Sequence, residues 1–206
     1  VNGDGYSDVV VGAPYSDGAG INTGRAYIFF GGSIMNNIAD ITCIGEASSD
    51  NLGISVSTAG DFNGDGFSDV IAGAHTNDEG GANAGRAYIF FGGIVSDSIA
   101  DVILTGEDSG DQFGQSLSGA GDVNGDGFSD VIVGAWVNNA GGDFAGRSYI
   151  YFGGIVSDTI ADVTFTGEAA GISFGYSVSS AGDVNGDGFS DVIVGAPFSN
   201  AGGSNS

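Results

Sequence analysis

The nine residues DVNGDGFSD, Asp122 to Asp130, have the form of a loop that turns several oxygens toward one point. The stretch returns as DFNGDGFSD from Asp61 and as DVNGDGFSD from Asp183, and a shortened copy, VNGDGYSD, opens the chain at Val1. Asn2, Asn63, Asn124 and Asn185 are each 61 residues apart. A fixed period of this length marks a tandem array of supersecondary units.

A hard cation such as Ca2+ takes about six to eight oxygen ligands at roughly 2.3–2.6 Å, so a short loop must aim many oxygens inward. Alternate positions do this. In the second copy Asp61, Asn63 and Asp65 supply side-chain oxygens at positions 1, 3 and 5, the carbonyl of Phe67 serves at 7, and Asp69 closes at 9. Gly66 at position 6 permits the bend. The same roles fall on Asp122, Asn124, Asp126, Phe128 and Asp130, and on Asp183, Asn185, Asp187, Phe189 and Asp191. The opening copy keeps a partial set, Asn2, Asp4, Tyr6 and Asp8. Asn, Gly and Asp also make turns that bind nothing. Three carboxylates in nine residues repel one another, however, and a plain turn has no reason to carry that repulsion three times. Position 12, an acid in an EF-hand, holds Ala72, Val133 and Val194, so each loop leads into a strand and not a helix.

The composition agrees. Gly at 41 of 206 residues and aromatics at 11% suit short strands joined by tight turns, and no Gly-X-Y period indicates collagen. Hydrophobic residues at 41%, clustered in strand-length runs, argue against disorder. The net charge is −23, and 11 of the 26 acids are loop carboxylates. Such a surface repels nucleic acid and anionic membranes. No apolar run approaches the roughly 20 residues of a membrane-spanning helix. The lone Cys43 sits at the phase of Leu104 and Phe165 and reads as a small core residue. Oxygen-ligand loops of this kind fill reliably where calcium is millimolar, which points outside the cell.

Within each unit four strand-like segments follow one another. In the third unit they are FGQSLSGAGD from Phe113 (A), DVIVGA from Asp130 (B), SYIYFGG from Ser148 (C) and ADVTFTGE from Ala161 (D). Strand B is continuously apolar, as an inner strand covered on both faces would be, whereas C alternates and suits a half-buried place nearer an edge. Four short antiparallel strands per unit are the pattern of a β-propeller blade, giving an all-β chain of about three and a third 61-residue repeats. Residues 1–51 form a partial blade (strands B, C and D), 52–112 and 113–173 two blades, and 174–206 a partial blade (strands A and B). Alternation of strand direction puts the A–B acidic loops and the C–D loops on one face, and the B–C and D–A loops on the other.

Phe113–Gly114, then DVNGDGFSD, then VGAP at Val194–Pro197 resemble the FG-GAP repeat of integrin alpha-subunit propellers and of bacterial secreted and surface proteins. The resemblance covers the whole chain. It implies calcium in the loop between the first two strands of a blade, on the residues assigned above. Leu52 replaces the Phe of FG, and His75 and Trp136 replace the Pro of GAP. The family usually closes seven blades, so the chain looks like a window cut from a longer array, to be completed by flanking repeats or, head to tail, by other copies of itself.

The remaining tempting residues read as structural. His75, the one histidine, has no supporting constellation and is expected at a loop surface. Trp136 is expected to pack on its own loop, WVNNAGGDFA, with a role as a binding anchor second. Arg25, Arg86 and Arg147 each begin a strand C and are expected to pair with Glu46, Glu107 or Glu168 of their own unit. The variable segments PYSDGAGINT, HTNDEGGANA and WVNNAGGDFA, with EASSDNLG, EDSGDQFG and EAAGISFG, lie on the B–C/D–A face, where a protein or glycan ligand would bind. The expected function is a non-catalytic, extracellular, calcium-binding propeller segment for adhesion, binding or scaffolding. The alternatives are a filament or ring subunit completed by strand exchange and, weaker, an accessory propeller of a secreted lyase or hydrolase.

Overall fold

The computed structural model describes residues 1–156 and 158–199, so residues 200–206 of the final segment lie outside it. The described residues form thirteen strands in four antiparallel sheets. The first sheet is β1 (Val9–Ala13), β2 (Arg25–Phe29) and β3 (Ile41–Ile44). The second holds β4 (Val56–Gly60), β5 (Asp69–Ala74), β6 (Arg86–Phe90) and β7 (Val102–Thr105), in that order. The third repeats it with β8 (Ser116–Gly121), β9 (Asp130–Ala135), β10 (Arg147–Tyr151) and β11 (Val163–Thr166). The last pairs β12 (Ser177–Gly182) with β13 (Asp191–Gly195). The four-stranded sheets are propeller blades with the strand order A-B-C-D.

The core lies between blades and not inside one sheet. Val70 and Ala72 of β5 point into a cluster with Ile28, Cys43, Leu52 and Tyr88. Ile71, between them, points into a second cluster with Phe62, Phe113, Val131, Val133 and Tyr149. Alternate side chains of one strand thus serve two interfaces, which is why β5 and β9 are buried at every residue and carry no polar stripe. Cys43 is buried as expected, and burial pushes its thiol up to about 12.

Strand C departs from expectation. Four of the five residues of both β6 and β10 are buried, so C is an inner strand like B. Its alternation reflects a tyrosine on one side and an aliphatic on the other, with both sides covered by a neighbouring blade. The edge falls to position D, and there covering is decisive: β7 buries two of its four residues, whereas β11, beside the two-stranded last sheet, buries none.

The glycines of the FG and GA steps meet across each interface. A Cβ on Gly73 would run into the carbonyl of Gly114, one on Gly134 into that of Gly175, and one on Gly12 into that of Gly53. The backbones approach too closely for any side chain. Phe113 and Leu52 follow the same geometry, wedged almost wholly buried between blades, where an aromatic side chain contributes roughly 2 kcal/mol.

Candidate functional site

Each complete acidic loop joins position A to position B of its sheet, and its shape is set by side chains that accept from the backbone. Asn63 Oδ1 accepts the Asp65 N–H at 2.9 Å, Asp65 Oδ1 the Phe67 N–H at 2.9 Å, and Asp61 Oδ2 the Gly66 N–H at 3.0 Å. The next loop repeats these bonds at 2.9 Å each, from Asn124 to Asp126, Asp126 to Phe128 and Asp122 to Gly127. The third does so with Asn185, Asp187 and Asp183 at 2.8, 3.0 and 3.0 Å. The opening loop keeps the Asn2 and Asp4 bonds, at 3.2 and 2.9 Å. Gly66, Gly127 and Gly188 take φ of 89°, 92° and 93°, the left-handed bend assigned to position 6.

Position 9 is the anchor. Asp69 is fully buried, its Oδ2 accepting the Phe62 N–H at 2.8 Å and its Oδ1 the Gly92 N–H at 2.7 Å. Asp130 does the same with Val123 at 2.8 Å and Gly153 at 2.9 Å. Gly92 and Gly153 belong to the C–D turns, so A–B and C–D loops share one face, as strand alternation required. Burial pushes both carboxyls up to about 6 against the pull of these amides. At the exposed first position of the last loop, the Gly188 amide holds Asp183 below the usual carboxylate range.

The donors suit a hard divalent cation: each complete loop offers only carboxylate, amide and carbonyl oxygens. Asp61 Oδ1 is buried without a hydrogen-bond partner, an acceptor left unsatisfied by the protein. Among the described residues no three acidic, His or Cys side chains already converge on a single point. Asp61, Asn63 and Asp65, or their equivalents, with the position-7 carbonyl and the buried position-9 acid, would hold the ion. It would supply charge neutralisation and rigidity, not reaction chemistry.

The opposite face is built from other acids. Arg86 Nη1 meets Glu46 Oε2 at 2.8 Å, and the Tyr88 hydroxyl donates to the same oxygen at 3.0 Å. One repeat later Arg147 meets Glu107 at 2.6 Å, and Tyr149 donates to it at 3.0 Å. Each glutamate belongs to the preceding blade, correcting the expectation of pairing within a unit. An arginine at the start of strand C donates through Nε to the threonine of its own strand D, Thr105 or Thr166, and carries its charged end across the interface to the close of the neighbour's strand D. Arg25 instead donates to the Asp17 carbonyl at 3.1 Å.

Beneath these clamps lie residues that sequence reasoning passed over. Asp50 and Asp111 are 3% and 2% exposed, and accept from Asn77 at 3.0 Å and Asn138 at 2.7 Å across the same interfaces. Burial pushes both acids above the usual carboxylate range. The signal was present: an acid and an amide recur 27 residues apart, at the 61-residue spacing, and become Ile172 and Ser199 in the next copy.

His75 stands in the turn after β5, the loop place expected for it, but is half-buried there, with Nδ1 buried and lacking a partner, and burial lowers its pKa. Trp136 donates through Nε1 to Gln112 at 3.1 Å and stands edge-on to Tyr176 at 5.4 Å. These partners come from the segments leading into strands A, not from its own loop.

The FG-GAP repeat family model matches residues 1–29, 52–90, 113–151 and 174–206. The chain is 34% identical over 192 residues to integrin alpha-PS5 of Drosophila melanogaster, covering 88% of this chain and 18% of that protein. It is 32% identical over 210 residues to integrin alpha-4 of Xenopus laevis (96% and 19%), and 36% identical over 194 residues to integrin alpha-7 of Rattus norvegicus (91% and 16%). The chain thus spans less than a fifth of the length of these relatives. Among the described residues no helix is long and apolar enough to cross a membrane. With glycine packed on glycine between blades and an acidic loop at the same place in each repeat, the chain belongs to the FG-GAP repeat family, in the β-propeller form it shares with integrin alpha subunits.

Proposed function

We propose that this chain is a calcium-braced segment of an extracellular adhesion propeller, non-catalytic, whose B–C/D–A face receives a protein or glycan. The observation that carries it is the contrast between faces. The acidic loops repeat one residue pattern and one hydrogen-bond pattern, with an unpartnered buried oxygen at Asp61, while the opposite loops change from unit to unit. Calcium would neutralise each loop and fix its A–B hairpin, so that cation binding adds to folding free energy. The relatives' name, integrin, supports adhesion as the purpose of the variable face. The test is a thermal melt in millimolar calcium and in EDTA: the expected result is a large fall in Tm on chelation, and identical melts would overturn the reading.

A second reading concerns assembly. Among the described residues the outer sheets have three and two strands, with Val9 and Val11 of β1 and Ile193 of β13 substantially exposed, edges that another FG-GAP unit fits. Flanking repeats or a second copy would supply it. Sedimentation of this chain alone decides for the second copy: concentration-dependent association supports it, and a monomer at all concentrations rejects it.

A further inference from the structure

The acidic loops are not independent of one another. Asp61, the first residue of one loop, is held at both ends of its main chain by the following loop: its carbonyl accepts the Ser129 N–H at 3.0 Å, and its N–H donates to Ser129 Oγ at 3.2 Å. Ser129 stands between Phe128 and Asp130, positions 7 and 9 of its own loop. Asp122 is held at its carbonyl by the Ser190 N–H, at 2.8 Å. Rings reinforce the bonds. A Cβ on Gly3 would run into Phe67, one on Gly64 into Phe128, and one on Gly125 into Phe189, so the position-7 ring of each loop lies on the position-4 glycine of the loop before it.

A third link runs through the C–D turn. Gly153 donates to Asp130 of its own blade at 2.9 Å, and the next amide, Gly154, donates to the Phe62 carbonyl of the preceding loop at 2.8 Å. Phe62 in turn donates to Asp69. The buried acids of adjacent loops are therefore joined by a short run of backbone hydrogen bonds. The same pattern joins Gly92 to Asp69 and Gly93 to the Val1 carbonyl one repeat earlier.

We propose that Ser129 and Phe128 are positioning residues for the loop at 61–69, and that cation binding is consequently cooperative between neighbouring repeats. An ion in the 122–130 loop fixes Phe128, Ser129 and Asp130, and with them the main chain of Asp61 and the floor beneath Gly64. The 61–69 loop then loses less conformational freedom when it takes its own ion. The coupling is reciprocal, since each ion must favour the other to the same degree. It rests on the calcium reading above and adds that the array fills as a unit, so that the calcium-loaded face stiffens over a narrow concentration range.

The experiment is a calcium titration of the 206-residue chain followed by the backbone amide signals of Gly66, Gly127 and Gly188, one in each complete loop. Coupling predicts curves steeper than simple binding. In Asp126→Ala the Gly66 midpoint should move to higher calcium by roughly fivefold, the lower range of allosteric coupling. Ser129→Ala, which leaves every proposed ligand in place, should move Gly66 more than Gly127, and Ser129→Thr should restore it. An unmoved Gly66 midpoint in Ser129→Ala overturns the proposal, whether or not Asp126→Ala folds. If no glycine signal responds to calcium, the metal reading falls and the coupling with it; if all three respond along independent curves, only the coupling falls.

Discussion

The two ends of each blade employ their acids in opposite ways. At the A–B end, Asp61, Asp65 and Asp69 accept from backbone amides, nearly all of their own blade, and the arrangement repeats with little change at 122–130 and 183–191. At the other end Glu46, Glu107, Asp50 and Asp111 accept from side chains of the next blade, in the same way at the first two interfaces, and the buried acid and amide give way to Ile172 and Ser199 at the third. Amide donors come with any sequence, so the shape of such a loop is copied from repeat to repeat, and its links to the next loop through Ser129 and Ser190 are copied with it. Side-chain donors must be supplied by the facing blade. One end therefore repeats a single loop design in every unit, and the other depends on what the facing blade supplies.

The largest effect should separate the ends outright. If each complete loop holds calcium about a hundredfold above its Kd, each site adds roughly 2.7 kcal/mol. At about 2–4 °C per kcal/mol for a chain of this size, chelation should lower Tm by on the order of 20 °C. The Glu–Arg–Tyr clamps contain no proposed metal ligand and should contribute nothing to that change. Next in size is Gly134→Ala, between the two ends, where the new methyl meets the Gly175 carbonyl. Overpacking of this kind costs about 1–3 kcal/mol. The loss should be the same with and without calcium, because the contact lies between blades and not in a loop. A Gly134→Ala penalty that vanished in EDTA would show the ends to be coupled through the sheet.

Much of this was legible in the residues. The glycine bend of each loop, the strand order, the continuous burial of position B and the division of loops between two faces all follow from a nine-residue pattern, a 61-residue period and strand alternation. What escaped depends on the angle between blades, which no period encodes. Arg147 and Glu168 stand 21 residues apart in one unit, yet Arg147 pairs with Glu107 of the unit before, because its Nε stays on Thr166 of its own sheet while its charged end reaches across the interface. Strand C was misjudged for the same reason: Tyr149 and Ile150 look like one wet and one dry face until a second blade covers the first. Asp111 and Asn138 escaped because an acid in a glycine-rich segment reads as a turn, and only the neighbouring blade makes it a buried partner.

The smallest effect bears on that last pair. Burial raises the Asp111 pKa, with nearby Asp108 and Glu107 adding to it, while Asn138 and the Asp108 amide pull the other way. A carboxyl whose folded pKa is raised binds its proton more tightly in the folded chain. Its contribution to stability is complete below the unfolded value of about 3.9 and is lost as pH rises through the folded value. In Asp111→Asn the amide oxygen can still accept from Asn138 and from the Asp108 N–H, and it has no proton to lose. The variant should therefore match the parent near pH 3.5 and exceed it by a small margin at pH 7, the difference in Tm opening across the interval between. The acidic loops are identical in variant and parent, so any pH effect on them cancels when the two are compared at the same pH. A variant that instead lost stability at pH 7 would mean that the ionised carboxylate is held by Asn138 and the Asp108 amide strongly enough to outweigh its burial, and the interface would then depend on charge at Asp111 as it does at Glu107.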